Sequence, residues 1–171
     1  MHGPTKQKAE LLDNPEKIIV RMPNWIGDLV MATPLLSDLR RFYPGAELTV
    51  LCQSHVAPLL KNDLDVDQIL SFPKQVKWVH RPPANITESL QYGGYDIGVL
   101  TTNSFSSAWW FWRGAVKHSI GFTGNLRSWF LNIPVEWLEN RETEHLVTTY
   151  KRLLVPLGIP LSDTKPRLYQ S

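Results

Sequence analysis

The residue with the clearest chemical potential is Asp28, the acid that closes the stretch Pro23-Asn-Trp-Ile-Gly-Asp28 after an apolar run. A carboxylate at such a place can take a proton from a sugar hydroxyl as a general base. Gly27 just before it lets backbone and substrate come close. The same spacing also suits a plain helix start, where free N–H groups and the dipole stabilise an acid. The two readings are compatible: a helix terminus keeps the carboxyl ionised, at some cost in basicity. A second polar group is Asn103-Ser-Phe-Ser-Ser107. Its amide and hydroxyls at a helix start can bind a polyhydroxylated or anionic ligand, or form an ordinary N-cap cluster.

Other chemistries are disfavoured. Only one glycine, Gly27, follows the first strand, so the three-glycine dinucleotide fingerprint is missing, and no Gly-Lys-Ser/Thr phosphate loop occurs. His55, His80, His118 and His145 are scattered and make no metal-ligand spacing, so no metal site is expected. His145, in the first turn of a predicted last helix, reads as structural more readily than catalytic. The run Trp109-Trp-Phe-Trp112, next to Arg113, is harder to absorb into a core. Four successive positions at about 100° each cover most of a helix circumference. The alternatives are a helix sandwiched within the domain, or rings turned to a second domain, a membrane interface or an amphiphilic ligand.

The elements that must hold these residues alternate along the chain. Strands are predicted at Lys17–Met22, Glu47–Cys52, Gln68–Phe72, Asp96–Leu100 and Lys117–Gly121. Helical patterns fall at Leu29–Phe42, Val56–Lys61, Ile86–Gln91, Phe105–Arg113, and from about Thr143 through Leu157 to Gly158. Pro34 is either the first position of a helix capped by Thr33 or a kink in one that begins near Gly27. Pro73–Pro83 reads as loop and Pro166–Tyr169 as a final extended piece. Strands separated by helices give βαβ units, hence a Rossmann-like, doubly wound parallel sheet whose sites lie outside the carboxyl ends of the strands. Asp28 and Asn103 both follow strands, which predicts that they share one edge of the sheet.

The 171 residues fit one domain, with 43% apolar and 20% charged residues as in an ordinary globular protein. A net charge of +2 argues against a dedicated nucleic-acid binder, and the lone Cys52 rules out a disulfide within the chain. No run approaches the roughly 18 apolar residues of a membrane span. The first sixteen residues are polar and lack the apolar run of a signal peptide, which gives the expectation of a loose leader over 1–16, a domain over 17–171 and a cytoplasmic location.

The segment Arg21-Met-Pro-Asn-Trp-Ile-Gly-Asp-Leu-Val-Met-Ala-Thr-Pro34 resembles the opening motif of the ADP-heptose:lipopolysaccharide heptosyltransferases, the heptosyltransferase II type in particular. Tyr95-Asp-Ile-Gly-Val-Leu-Thr-Thr-Asn-Ser-Phe-Ser-Ser107 resembles their second signature, and Gly121-Phe122 and Glu144-His145 follow in the same order. The resemblance implies a GT-B glycosyltransferase with two Rossmann-like domains facing a cleft. The N-terminal domain handles the lipopolysaccharide inner-core acceptor and the C-terminal one binds ADP-heptose, the donor; no cofactor is implied. Transfer is metal-independent and inverting, and the acid of the opening motif, here Asp28, is the general base. This chain resembles the N-terminal half, and ends at Ser171 where the linker to the donor domain is expected.

Two functions follow. The first is the acceptor half of a heptosyltransferase. Asn24, Gly27 and the loop residues Asn103, Ser104, Ser106 and Ser107 would orient the acceptor, and Arg113, Lys117 and Arg127, chosen on charge alone, would meet its carboxylates and phosphates. The second is a catalytically inactive single domain that binds lipopolysaccharide core or a protein partner. In either case the aromatic run predicts exposed apolar surface, with self-association or peripheral contact with the cytoplasmic face of the inner membrane.

Overall fold

The computed structural model describes residues 12–74, 84–140 and 142–169. Six parallel strands form one sheet: β1 Lys17–Arg21, β2 Glu47–Gln53, β3 Gln68–Phe72, β4 Ile97–Leu100, β5 His118–Phe122 and β6 Ile133–Val135. Their order is β3-β2-β1-β4-β5-β6, the doubly wound arrangement whose direction of winding reverses between β1 and β4. Among the described residues four α-helices connect or cover them: α1 Ile26–Phe42, α2 Ala84–Gly93, α3 Phe105–Arg113 and α4 Leu146–Arg152.

The central strands are apolar because both faces are covered. On one face Ile18, Val20, Val50, Val99 and Ile120 pack with α1 and with Tyr150, Leu153 and Leu154 of and after α4. On the other, Ile19, Leu51 and Leu100 pack with Leu90 of α2 and Trp110 and Phe111 of α3. Gly98 lets α3 lie directly on the sheet, since a Cβ there would sit 2.7 Å from the Phe111 ring. β6 escapes the sequence pattern because it is three residues long with Pro134 at its centre, tolerable on an edge strand where no ladder N–H is missed. The stretch Val56–Lys61 forms only a short 3-10 turn, Ala57–Leu60.

Pro34 lies inside α1, which starts eight residues earlier than a Pro34-led helix would. The carbonyl of Val30, deprived of its usual N–H by the proline, accepts instead from the Thr33 hydroxyl (2.7 Å). That hydroxyl in turn accepts from the Arg167 N–H (3.0 Å). The segment from Ile159 to Tyr169 has no regular structure but is fastened along α1. Ser162 and Thr164 donate to the Asp38 carboxylate (2.6 and 2.7 Å), and Arg167 pairs with Asp63 and Asp65. The leader expected over 1–16 includes residues that pack. Leu12 lies against the core, Tyr43 donates to its carbonyl (2.7 Å), and the Glu16 N–H donates to Asp96 (2.9 Å). Residues 1–11, and 75–83 of the loop expected at Pro73–Pro83, lie outside the described residues.

Candidate functional site at the switch point

The loops that leave β1 and β4 diverge at the reversal of winding, and α1 begins between them. Thr101 binds these two strand ends together, its N–H donating to the Arg21 carbonyl at 3.2 Å and its hydroxyl donating to the same oxygen. Arg21 itself is buried and holds the β1 loop from inside, donating to the Met22 carbonyl and to Asn24 Oδ1 (2.7 Å), with its guanidinium 4.8 Å from the Phe72 ring centre. Burial pulls Arg21 down to about 10, the nearby Cys52 opposing.

A cavity of about 350 Å³ opens at this edge. Asp28 enters it from the first turn of α1, Thr101 and Asn103 from the loop after β4, and Phe122 from the end of β5. Glu142, Glu144, Thr149 and Tyr150 close it from the α4 side, with Trp137 stacked on Phe122 at 4.1 Å between ring centres. Asp28 is half-buried, and among the described residues its carboxylate has no hydrogen-bond or ion-pair partner. The helix it opens has no side-chain cap, so three or four backbone N–H groups add positive potential there. Glu144 is fixed by contrast: Arg152 Nε donates to both carboxylate oxygens (2.8 Å each) and Thr149 donates to Oε1 (3.1 Å). These bonds, Arg152 foremost, hold the Glu144 carboxyl below the usual carboxylate range. Tyr150 is pushed upward, first by burial and then by the charge of Asp28, so its phenol stays protonated across the working range.

The structure gathers only part of the set expected from sequence. Asp28 and Asn103 line the same cavity, at one edge of the sheet. Asn24 stays in the β1 loop, its side chain engaged by Arg21 and its carbonyl accepting from His55 Nε2 (3.1 Å). Gly27 faces open space, so no protein atom demands a glycine there. Ser104 is the N-cap of α3, accepting from the Ser107 N–H (3.2 Å), and the buried Ser107 hydroxyl returns a bond to the Ser104 carbonyl (3.0 Å). Ser106 bonds Ser104 (3.3 Å) and both line a neighbouring groove with Phe105 and Trp109. The N-cap role thus accounts for Ser104 and Ser107.

None of the three cations expected from sequence lines this cavity. Arg113 is in the last turn of α3, the helix end away from the cavity. Lys117 immediately precedes β5 and therefore sits at the amino edge of the sheet, paired with Asp96 at 3.0 Å. Burial would raise Asp96, but Lys117 and the N–H groups of Glu16 and Lys17 outweigh it and hold the carboxyl low. Arg127 is fully buried, donating to the carbonyls of Thr102 (2.6 Å) and Ser104 (3.1 Å). These bonds tie it to the Asn103 loop, and burial lowers it to about 10. His145 is the N-cap of α4, its Nδ1 accepting from the Val147 N–H (3.2 Å). Sequence reasoning missed Glu142, Thr149, Tyr150 and Trp137 as cavity residues, and saw Glu144 only through its resemblance motif.

Strand order and a ligand-sized cleft at the switch point define a Rossmann-like domain, the fold of one half of GT-B glycosyltransferases. The fold matches a family 9 glycosyl transferase from Veillonella parvula with a TM-score of 0.75 over 90% of this chain and 44% of that one, at 18% identity. In sequence the chain is similar to heptosyltransferases. It is 28% identical over 144 residues to lipopolysaccharide heptosyltransferase 2 of Escherichia coli, covering 84% of this chain and 41% of that protein. It is also 28% identical over 121 residues to lipooligosaccharide heptosyltransferase 2 of Haemophilus ducreyi, covering 68% of this chain and 33% of the relative. The solved Escherichia coli ADP-heptose lipopolysaccharide heptosyltransferase II superposes with a TM-score of 0.72 at 27% identity, over 91% of this chain and 47% of that one. No model of a protein family matches the chain. The chain therefore spans less than half the length of the curated relatives it matches.

Proposed function

We propose that the chain is the acceptor-binding half of a heptosyltransferase that carries heptose from ADP-heptose to the lipopolysaccharide inner core. The observation that supports this reading best is the Asp28 carboxylate, without a hydrogen-bond or ion-pair partner among the described residues, lining a cavity at the switch point with Asn103. In this reading an acceptor sugar enters the cavity, and Asn103, Thr101 and Tyr150 hydrogen-bond its hydroxyls. Asp28 takes the proton of the attacking hydroxyl as the oxygen bonds to the anomeric carbon of the donor. The bond from that carbon to the ADP oxygen breaks on the opposite face, so configuration inverts and ADP leaves with the electron pair. No metal takes part, and the donor sits on a second domain of the same architecture. The work is done at the cytoplasmic face of the inner membrane.

Titration of the chain with lipid-free inner-core oligosaccharide tests the acceptor assignment. Binding is expected, with Trp137 emission as a local reporter. Asn103→Ala should weaken it by about tenfold, the worth of one or two lost hydrogen bonds. Failure of the oligosaccharide to bind, or equal affinity in the variant, contradicts the assignment. A binding module without catalysis would bind the same oligosaccharide yet transfer nothing once a donor domain is supplied.

A further inference from the structure

Sugar transfer at the cavity uses none of the apolar surface displayed by α3 and the 3-10 turn Arg127–Phe130. Phe105, Trp112, Leu126, Trp129 and Phe130 line an open groove of about 480 Å³. Trp129 is 90% exposed, Leu126 81% and Trp112 56%, far beyond the scattered apolar exposure of an ordinary surface. The Phe130 ring lies 5.4 Å from both Phe105 and Trp112, so the rings form one continuous face.

This face is built to be displayed. Asn125 and Leu126 both adopt left-handed backbone, with φ of 50° and 59°. A leucine takes that conformation only where its surroundings impose it. Here they do: Arg127 is clamped to the carbonyls of Thr102 and Ser104, and Asn125 Nδ2 donates to the Asn103 carbonyl (2.9 Å). The turn that presents Leu126 and Trp129 is thus locked to the loop whose Asn103 lines the cavity. From Ile97 to Val135 the sequence holds no Asp or Glu. Arg113, exposed and adjacent to Trp112, adds a positive charge, whereas Lys117 is engaged with Asp96.

We propose that this aromatic face docks on an anionic lipid bilayer, with Leu126 and Trp129 set into its interfacial layer. Indole and phenyl rings suit that layer, which takes apolar bodies while leaving polar edges wet. A groove lined only by apolar side chains, with the exposed Arg113 beside it, sets no carboxylate of its own lining against acidic headgroups. Docking there would hold the Asn103 loop, and the cavity with it, next to a membrane-anchored acceptor; this last step rests on the acceptor reading above.

The test is flotation of the chain with phosphatidylglycerol–phosphatidylcholine vesicles, alongside phosphatidylcholine vesicles alone and vesicles carrying brominated acyl chains. Binding to the anionic vesicles and quenching by bromine are expected. Leu126→Ser with Trp129→Ser should reduce partitioning by about tenfold or more, and Arg113→Gln by less. Neither change should alter binding of lipid-free core oligosaccharide. Absence of vesicle binding, or equal binding by parent and double variant, overturns the proposal. So does concentration-dependent association in sedimentation velocity that the double variant abolishes, since a second copy would then cover the face. Loss of oligosaccharide binding with vesicle binding intact would refute the acceptor reading and leave the docking face standing.

Discussion

The cavity beside Asp28 takes in Thr101 and Asn103 and the groove beside Trp129 takes in Phe105 just beyond them, yet their makeup is opposite. The cavity holds three carboxylates, Asp28, Glu142 and Glu144, with one amide, two threonines and a tyrosine. The groove is lined by five apolar side chains and comes from a stretch without acids. The cavity is also assembled from four segments distant in sequence, whereas the groove comes almost whole from residues 105–130. Hydrophobic display needs only local sequence and a rigid turn. A polar pocket needs a fold to bring its pieces together, and each charged member needs either a partner, as Glu144 has in Arg152, or partial access to water, as Asp28 has.

One residue, Arg127, couples the two surfaces, and its loss should have the largest effect on stability. Arg127→Met leaves the Thr102 and Ser104 carbonyls without their donor in the interior. At about 1–3 kcal/mol per orphaned group, a loss of about 2–6 kcal/mol is expected in denaturant unfolding. A stability unchanged within error would show that the loop stands without its prop. Gly121→Ala attacks the same joint from the sheet, since the added Cβ would lie 2.5 Å from Arg127 Nη2. Overpacking of this kind costs about 1–3 kcal/mol, readable as a lowered Tm.

Away from that joint the effects should be smaller. Thr33→Val removes the hydroxyl that serves both the Val30 carbonyl and the Arg167 N–H, worth about 1–2 kcal/mol by chemical denaturation. Glu144 gives a pH signature. Its carboxyl is held low by Arg152 in the folded protein, so its contribution is present above the ordinary carboxylate range, near pH 4, and is lost as pH falls through the lowered folded value. Glu144→Gln should flatten the acid limb of Tm against pH; an unchanged limb would assign acid sensitivity elsewhere, Asp96 first, which is also held low.

The parts legible in the sequence were those with short-range causes. The five long strands show as apolar runs, α3 as the aromatic run that buries Trp110 and Phe111 while exposing Trp112. The shared edge of Asp28 and Asn103 follows from each residue's place after a strand. The three cations do not line the cavity, since charge says nothing about which end of an element a residue occupies. Lys117, one residue before β5, could have been set at the far edge by position alone. Glu142, Thr149 and Tyr150 had no local signal, since they reach the cavity only because α4 packs against α1.

The most direct measurement is single-turnover heptosyl transfer by the chain joined to an ADP-heptose-binding domain, comparing Asp28 with Asp28→Asn at saturating donor and acceptor. The substitution keeps size and removes the base. If Asp28 deprotonates the acceptor, the rate falls by about 10²–10⁴, while oligosaccharide affinity and Tm stay near those of the parent. Transfer at the parental rate by the asparagine variant would contradict the account and leave Asp28 as the acid of a helix start.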